Sequence, residues 1–358
     1  YAKENGFEKV FVPQSCIKEA SSVEGVLVFG VSSLSALVKH LLGEELISEY
    51  TGKCSDTFEN TNYFSDESVD LNSVVGQEQV KRALEICAAG GHNMIMVGPP
   101  GSGKTMIAKS LLTILPDLNG EESVEVTKIY SLVGKIPPNC GLLKQRPFRS
   151  PHHTISYAGM IGGGNNPLPG EITLAHRGVL FMDEFSEFTR PVIESLRQPL
   201  ESGKITISRS RFSADFPSKF MLIASSNPCP CGYYGDSKHD CSDKKIKNYQ
   251  SKLSGPILDR IDLHINVFPV EKDKLLKDKT SGEGESSKII KDRVLKARKI
   301  QEKRFKNEKI FANFEMPNSL IEKYCKLSES SKNLLIQATE KFGLSTRAYF
   351  KLIKVSRT

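Results

Sequence analysis

Hydrophobic and polar positions along the chain fall into three blocks with different periods. Up to about Ile47, the runs Val10–Pro13 and Gly25–Gly30 predict strands. Behind them Leu34, Leu37, Val38, Leu41 and Leu42 recur at helical spacing after Ser33, a natural N-cap. From about Asn72 to Val270, Asn93–Val97, Ser123–Thr127, Val179–Met182 and Phe220–Ala224 are apolar or β-branched runs, each followed by loop or helix signals. Strands alternating with helices predict an α/β fold with a parallel sheet covered by helices. The last block, from Ser286, carries Lys, Arg, Glu, Leu and Ile at helical spacing. Polar, turn-rich stretches separate the blocks. The chain thus divides into 1–50, a linker at 51–71, an α/β core at 72–270, a linker at 271–285 and a helical domain at 286–358.

Composition narrows the class. With 39% hydrophobic and 25% charged residues, the 358-residue chain can bury a core, which argues against a disordered, collagenous or membrane protein. No apolar run approaches the roughly 18 residues of a spanning helix. Eight cysteines are too few and too scattered for a disulfide scaffold, so a reducing, cytoplasmic setting fits. The chain opens at Tyr1 without an initiator Met or a leader pattern and stops inside a helical pattern, and it reads as a fragment. A net charge of +7 permits a nucleic-acid partner without establishing one.

The sharpest motif follows Asn93–Val97. Gly98-Pro99-Pro100-Gly101-Ser102-Gly103-Lys104-Thr105 has the spacing of a phosphate-binding loop, and a helical pattern continues through Met106, Ile107, Leu111 and Leu112. Glycines let successive amides turn toward phosphates, and the following helix adds its positive dipole end. Lys104 can reach the β- and γ-phosphates of ATP and the Thr105 hydroxyl can ligate Mg²⁺. The bland alternative is a Gly-Pro turn between a strand and a helix.

Gly178–Met182 is a buried-looking strand ending in Asp183-Glu184. Asp183 is suited to hold Mg²⁺ and Glu184 to polarise an attacking water, although paired acids also suit a helix N-terminus. Asn227, after the strand Phe220–Ala224, can orient that water, or it forms an Asx-Pro turn with Pro228. Arg260 and Arg347 complete a phosphoryl-transfer set, because a guanidinium stays charged and can stabilise a developing γ-phosphate. Sequence alone does not separate such arginines from surface ion-pair partners.

In this order the elements resemble an AAA+ ATPase and, more narrowly, the magnesium-chelatase-like ComM/YifB family of bacterial proteins, over essentially the whole chain. The specific parts are Arg146-Pro147-Phe148-Arg149-Ser150-Pro151-His152-His153-Thr154, Pro169-Gly170-Glu171-Ile172, Asn227-Pro228-Cys229-Pro230-Cys231-Gly232 and Ser345-Thr346-Arg347-Ala348-Tyr349. The resemblance implies that Asn227 is a first sensor, Arg347 a second sensor in a helical lid, and Arg260 an arginine finger reaching a neighbouring subunit's nucleotide. It therefore implies a ring, most often a hexamer, of identical chains. Residues 1–50 would be the end of a Lon-protease-like domain. The activity implied is that of an ATP-driven DNA translocase or branch-migration helicase in homologous recombination and natural transformation. Chelatase-type remodelling of a protein partner during metal insertion is the alternative. A transcription-activating ATPase would need an engaging loop that is absent from the sequence, and a non-hydrolysing switch conflicts with Glu184.

Two segments are candidates for gripping DNA in a ring. Tyr130–Arg177 is too long for an ordinary connection and carries Arg146, Arg149, His152 and His153 before Gly162-Gly163-Gly164. Lys204–Phe212 alternates like a hairpin arm, with Arg209 and Arg211 available to phosphates. Packing or subunit contacts are the plain alternatives for both segments, and the Arg-His stretch can also be read as a nucleotide sensor. Lys288–Lys309 holds ten basic and three acidic residues and reads as a solvated helix face, with a DNA site as the alternative. Cys229, Cys231 and Cys241 have the soft-ligand character of a Zn²⁺ site, with His239 or Asp243 as a fourth ligand; a reduced, metal-free loop is the alternative.

Overall fold

The computed structural model describes residues 2–358 apart from 4, 22, 24, 52–68, 137–140, 165, 166, 210, 211, 236, 270–283 and 309. Most of the two predicted linkers and Arg211 lie outside the described residues. The chain clusters into two compact units, Tyr1–Tyr63 with Leu118–Gln145, and Phe64–Asp117 with Arg146–Thr358.

In the first unit, β1 (Lys9–Pro13) and β2 (Leu27–Val31) pair in parallel, with Phe11 stacked on Phe29 at 5.1 Å. The helix Leu34–Leu42 starts where the sequence places it, the Ser33 side chain accepting from the Ala36 amide. Ser123–Thr127 is not the expected strand; it lies within the helix Gly120–Leu132. The β-branched pair Val124 and Val126 gives a local strand signal. It is outweighed by the capping box of Asn119 and Glu122 and by burial at helical spacing of Val126, Ile129 and Tyr130.

The second unit is built on a five-stranded parallel sheet. Its strands are β3 (Met94–Val97), β4 (Phe148–Arg149), β7 (Val179–Met182), β10 (Met221–Ser226) and β11 (Leu263–Asn266), in the order β11-β3-β10-β7-β4. The central strands are buried on both faces, so they appear in sequence as continuous apolar runs. Their side chains still alternate. Met94, Met96, Val179, Phe181 and Ile223 join one core with Leu84, Ile107, Leu111, Ile290 and Val294. Ile95, Leu180, Met182, Leu222 and Ala224 join the other with Phe185, Val192 and Leu196. The edge strands β4 and β11 escaped the sequence reading because one spans two residues and the other is only half-buried.

Two short antiparallel pairs decorate this sheet: β5 (Gly162–Gly163) with β6 (Leu168–Pro169), and β8 (Lys204–Arg209) with β9 (Phe212–Pro217). The second is the expected hairpin, with Ile205 and Ile207 packed into the core and Lys204, Thr206 and Ser208 exposed. The helix Ser287–Arg304 does not expose a wholly solvated basic face. Ile290 and Val294 bury against the core, Arg293 pairs with Glu85 and Glu285, and Arg298 donates to the Ala88 carbonyl. Beyond it, the helices Asn318–Tyr324, Glu329–Phe342 and Thr346–Ser356 gather around Phe305, Met316, Ile321 and Ile353. No helix among the described residues is long and apolar enough to cross a membrane.

Candidate active site

Three neighbouring strands end in register at the carboxyl edge of the sheet, where Ser226 lies beside Val97 and Ala224 beside Met182. The phosphate loop, the Asp183-Glu184 pair and Asn227 therefore leave the sheet side by side. Gly101 and Gly103 adopt φ of 74° and 83°, the left-handed region that favours glycine. A Cβ on either would meet nothing within 4 Å, so backbone conformation alone demands glycine there, and both positions face open space. Gly103 caps the helix Lys104–Ile114, which points its amino end at that opening. The Lys104 ammonium donates to the carbonyls of Gly98 (2.7 Å) and Pro99 (2.8 Å) and to Asn227 Oδ1 (3.3 Å). Burial draws its pKa below the ordinary lysine value, opposed by the charges of Asp183 and Glu184.

Thr105 Oγ1 donates to Asp183 Oδ2 at 2.7 Å, placing a hydroxyl and a carboxylate together at the loop's mouth. Such hard oxygens are the donors Mg²⁺ takes, and the open concavity beside them suits its companion phosphates, so the residues fit the metal. The other Asp183 oxygen accepts from Ser225 Oγ. Glu184 sits at φ 51° and ψ 47°, a left-handed conformation that costs a non-glycine residue about 1–2 kcal/mol. Its amide is held by Asp183 Oδ1 (3.1 Å) and Ser225 Oγ (3.3 Å). The Glu184 carboxylate is about half exposed and lies 3.4 Å from His153 Nδ1. His152 packs on His153 with ring centroids 4.1 Å apart. The sequence offered this Arg-His segment as a DNA grip, with packing or nucleotide sensing as alternatives. Only the pairing of β4 with β7 brings the histidines to Glu184, and no local signal reveals it.

Arg260 and Arg347 do not join this cleft. Both donate to Glu201 Oε1, beside a cavity of about 810 Å³ that is also lined by Asn93, Asp262 and Lys351. Asn93 precedes β3, and its side chain donates to the Arg260 carbonyl (3.2 Å), which fixes the pair at the amino edge of the sheet. Gly98 leaves the other end of that strand, some five residues or about 16 Å along it. Two guanidiniums sharing one carboxylate leave a net positive charge. Burial and then the Arg347 charge lower the Arg260 pKa, and its buried Nε has no hydrogen-bond partner among the described residues.

Two of the four arginines expected at nucleic acid are tied inside the fold. Arg146 donates to the carbonyls of Pro116 (2.7 Å) and Arg177 (2.7 Å), and Arg149 grips Glu171 through two bonds of 2.6 and 2.7 Å. Their charge is spent on local structure. Arg209 closes β8, with its side chain outside the described residues. After Asn227, the loop brings Cys229, Cys231, His239 and Cys241 together, their ligand atoms all within 4.8 Å of one another. Asp243, the alternative fourth ligand, instead opens the helix Asp243–Gln250. The Cys231 thiol is drawn down to about 6, first by the Asp240 amide and then by that of Tyr233.

A parallel sheet of this order, with a phosphate loop and paired acids at its carboxyl edge, defines a P-loop ATPase of the AAA+ class. Residues 70–275 match the family model described as magnesium chelatase, subunit ChlI, and residues 284–358 match its C-terminal companion. The chain is 40% identical over 357 residues to competence protein ComM of Haemophilus influenzae, covering all of this chain and 68% of that protein. It is 46% identical to YifB of Escherichia coli over 81% of this chain and 56% of that protein. A more distant relative, the magnesium-chelatase 38 kDa subunit of Rhodobacter capsulatus, is 26% identical over 44% of the chain and 50% of its own length. The chain therefore belongs to the magnesium-chelatase family of AAA+ ATPases, in its ComM/YifB group.

Proposed function

We propose that this chain is the motor core of a ring of identical subunits that cuts ATP at its seams and moves DNA. The observation that carries the reading is the division of the phosphoryl-transfer set between opposite edges of one sheet. Lys104, Thr105, Asp183, Glu184 and Asn227 stand at the carboxyl edge, whereas Arg260 and Arg347 stand at the amino edge with a shared carboxylate. Arginines so placed are out of reach of their own chain's phosphate loop. A neighbour that sets its loop against this edge receives both guanidiniums, and Glu201 keeps them together until a more highly charged phosphate replaces it.

Within one seam, Lys104 and the loop amides bind the phosphates, and Thr105 and Asp183 hold Mg²⁺, which neutralises charge on the phosphate oxygens. Glu184 accepts the proton of the attacking water as its oxygen bonds to the γ-phosphorus and the bond to the ADP oxygen breaks. Asn227, already bonded to Lys104, aligns that water. Arg260 and Arg347 of the adjoining subunit stabilise the departing phosphoryl charge. Arg209 and Arg211, the basic residues of the segment that the sequence marks for gripping DNA, contact its backbone, giving salt-sensitive and sequence-independent binding. The DNA reading is supported by similarity to a protein named for competence. A chelatase-type role in metal insertion is the alternative, supported by the family model's description.

Complementation tests the seam. Lys104→Ala and Arg260→Ala chains, each inactive alone, regain ATPase when mixed, because hybrid seams pair an intact loop with an intact arginine. Failure of every mixing ratio to restore turnover overturns the shared site. For DNA, the full-length protein is expected to migrate a synthetic four-way junction only with ATP. Indifference of both ATPase and junction to each other sinks the motor reading, and recovery of a porphyrin-metallating enzyme by pull-down favours the alternative.

A further inference from the structure

We propose that Cys229, Cys231, His239 and Cys241 form a closed tetrahedral Zn²⁺ site whose occupancy braces the phosphate loop. The geometry is already that of a ligand shell. His239 Nδ1 lies 3.4 Å from Cys231 Sγ and 3.7 Å from Cys229 Sγ, and the two sulfurs are 3.3 Å apart. A tetrahedron with zinc bonds of ordinary length has sulfur–nitrogen edges of about 3.6 Å and sulfur–sulfur edges of about 3.8 Å. The Cys229 and Cys231 sulfurs have to part slightly and the widest separation in the set, within 4.8 Å, has to close to reach it. The 3.3 Å between the Cys229 and Cys231 sulfurs is far beyond a disulfide bond, and all three cysteines are free thiols.

The donor set chooses the metal class. Three thiolates and an imidazole suit Zn²⁺ and exclude the hard, oxygen-seeking Mg²⁺ that the neighbouring Thr105 and Asp183 suit. Four protein donors leave no open position, which marks a structural rather than a catalytic site. The described part of the stretch from Asn227 to Ser242 contains neither helix nor strand, so it lacks a ladder of its own to hold its shape.

The knuckle reaches the nucleotide loop at two points. Gly232, at φ 82°, packs so tightly on Pro100 that a Cβ there would stand 2.5 Å from the proline Cδ. Asn227, two residues before the first cysteine, bonds Lys104. Tying Cys229 and Cys231 on either side of Pro230 fixes the turn in which the Gly232 amide bonds the Cys229 carbonyl (2.9 Å), and so fixes the surface on which Pro100 rests. The brace rests on reading Gly98–Thr105 as the ATP loop, while the metal site stands independently of it.

The test begins with elemental analysis of the full-length protein, purified under reducing conditions without a metal-chelating tag. About one zinc per chain is expected. Cys231→Ser and His239→Ala lose the zinc, His239→Cys retains it, and Asp243→Asn leaves it unchanged. Cobalt substitution gives the intense visible bands of a tetrahedral thiolate site. Zinc-free protein with reactive thiols, a Cys229–Cys231 disulfide, or zinc lost in Asp243→Asn but kept in His239→Ala overturns the site. For the brace, extracting the zinc with a chelator weakens binding of a fluorescent ATP analogue severalfold, and zinc added back restores it. Nucleotide affinity indifferent to zinc removal overturns the brace. A protein that binds no nucleotide in any form refutes the ATP reading instead, since zinc stoichiometry is measured without nucleotide.

Discussion

Glu184→Gln separates the role of one carboxylate from everything around it. The side chain is about half exposed and lies 3.4 Å from His153 Nδ1. The bonds that hold this residue in its left-handed conformation come from its own amide, to Asp183 Oδ1 and Ser225 Oγ, and survive the change. Glutamine has the same length and shape, so folding stability should change by less than about 0.5 kcal/mol. ATP binding should persist, because the loop amides, Lys104, Thr105 and Asp183 are untouched. What is lost is a proton acceptor for the attacking water. A positioned general base contributes about 10²–10⁴-fold, which raises the barrier by about 2.7–5.4 kcal/mol. The assay is steady-state phosphate release paired with equilibrium binding of a fluorescent nucleotide. Turnover should fall by at least about a hundredfold at unchanged affinity. Turnover within a few-fold of the parent would remove Glu184 from the reaction, and a parallel loss of affinity would show that it supports the loop rather than the water.

Three further outcomes follow from the same geometry. Gly178→Ala should destabilise the second unit by about 1–3 kcal/mol, read as a lower Tm, because its Cβ would stand 2.0 Å from the Pro147 carbonyl oxygen where β4 meets β7; an unchanged Tm would mean the two strands slide apart freely. Since burial lowers the Lys104 pKa from its ordinary 10.5, the ammonium loses its proton earlier than a free lysine would as pH rises. ATP affinity should therefore fall on the alkaline side before pH 10.5, and this limb should vanish in Lys104→Arg, whose charge persists. The Arg347 hydrogen bond holds the Glu201 carboxyl below the usual range. A carboxyl depressed on folding adds stability above its unfolded pKa and loses it as pH falls through the folded one. Glu201→Gln should therefore flatten the acid limb of the Tm profile, and an identical acid limb in both proteins would mean the triad contributes nothing to folding.

The sequence by itself determined what depends on neighbours along the chain. Spaced glycines before Lys104, an apolar run before Asp183, and Ser33 ahead of a helical stripe each carry their physics within about ten residues, and each marks the element it predicts. The order of these pieces also identified the family. Tertiary structure decided everything that depends on which strand lies beside which. The register of β3, β10 and β7 brings Lys104, Asn227 and Asp183 to one mouth, and β4 delivers His153 to Glu184. The same parallel sheet sends Arg260 and Arg347 to its far edge. Charge alone made Arg146 and Arg149 resemble contacts for a polyanion, until their partners, a set of backbone carbonyls and Glu171, were in place. In the cysteine loop, spacing could not choose between His239 and Asp243. The chain turns His239 toward the sulfurs and gives Asp243 to a helix start, because ligand choice is a matter of distance in space.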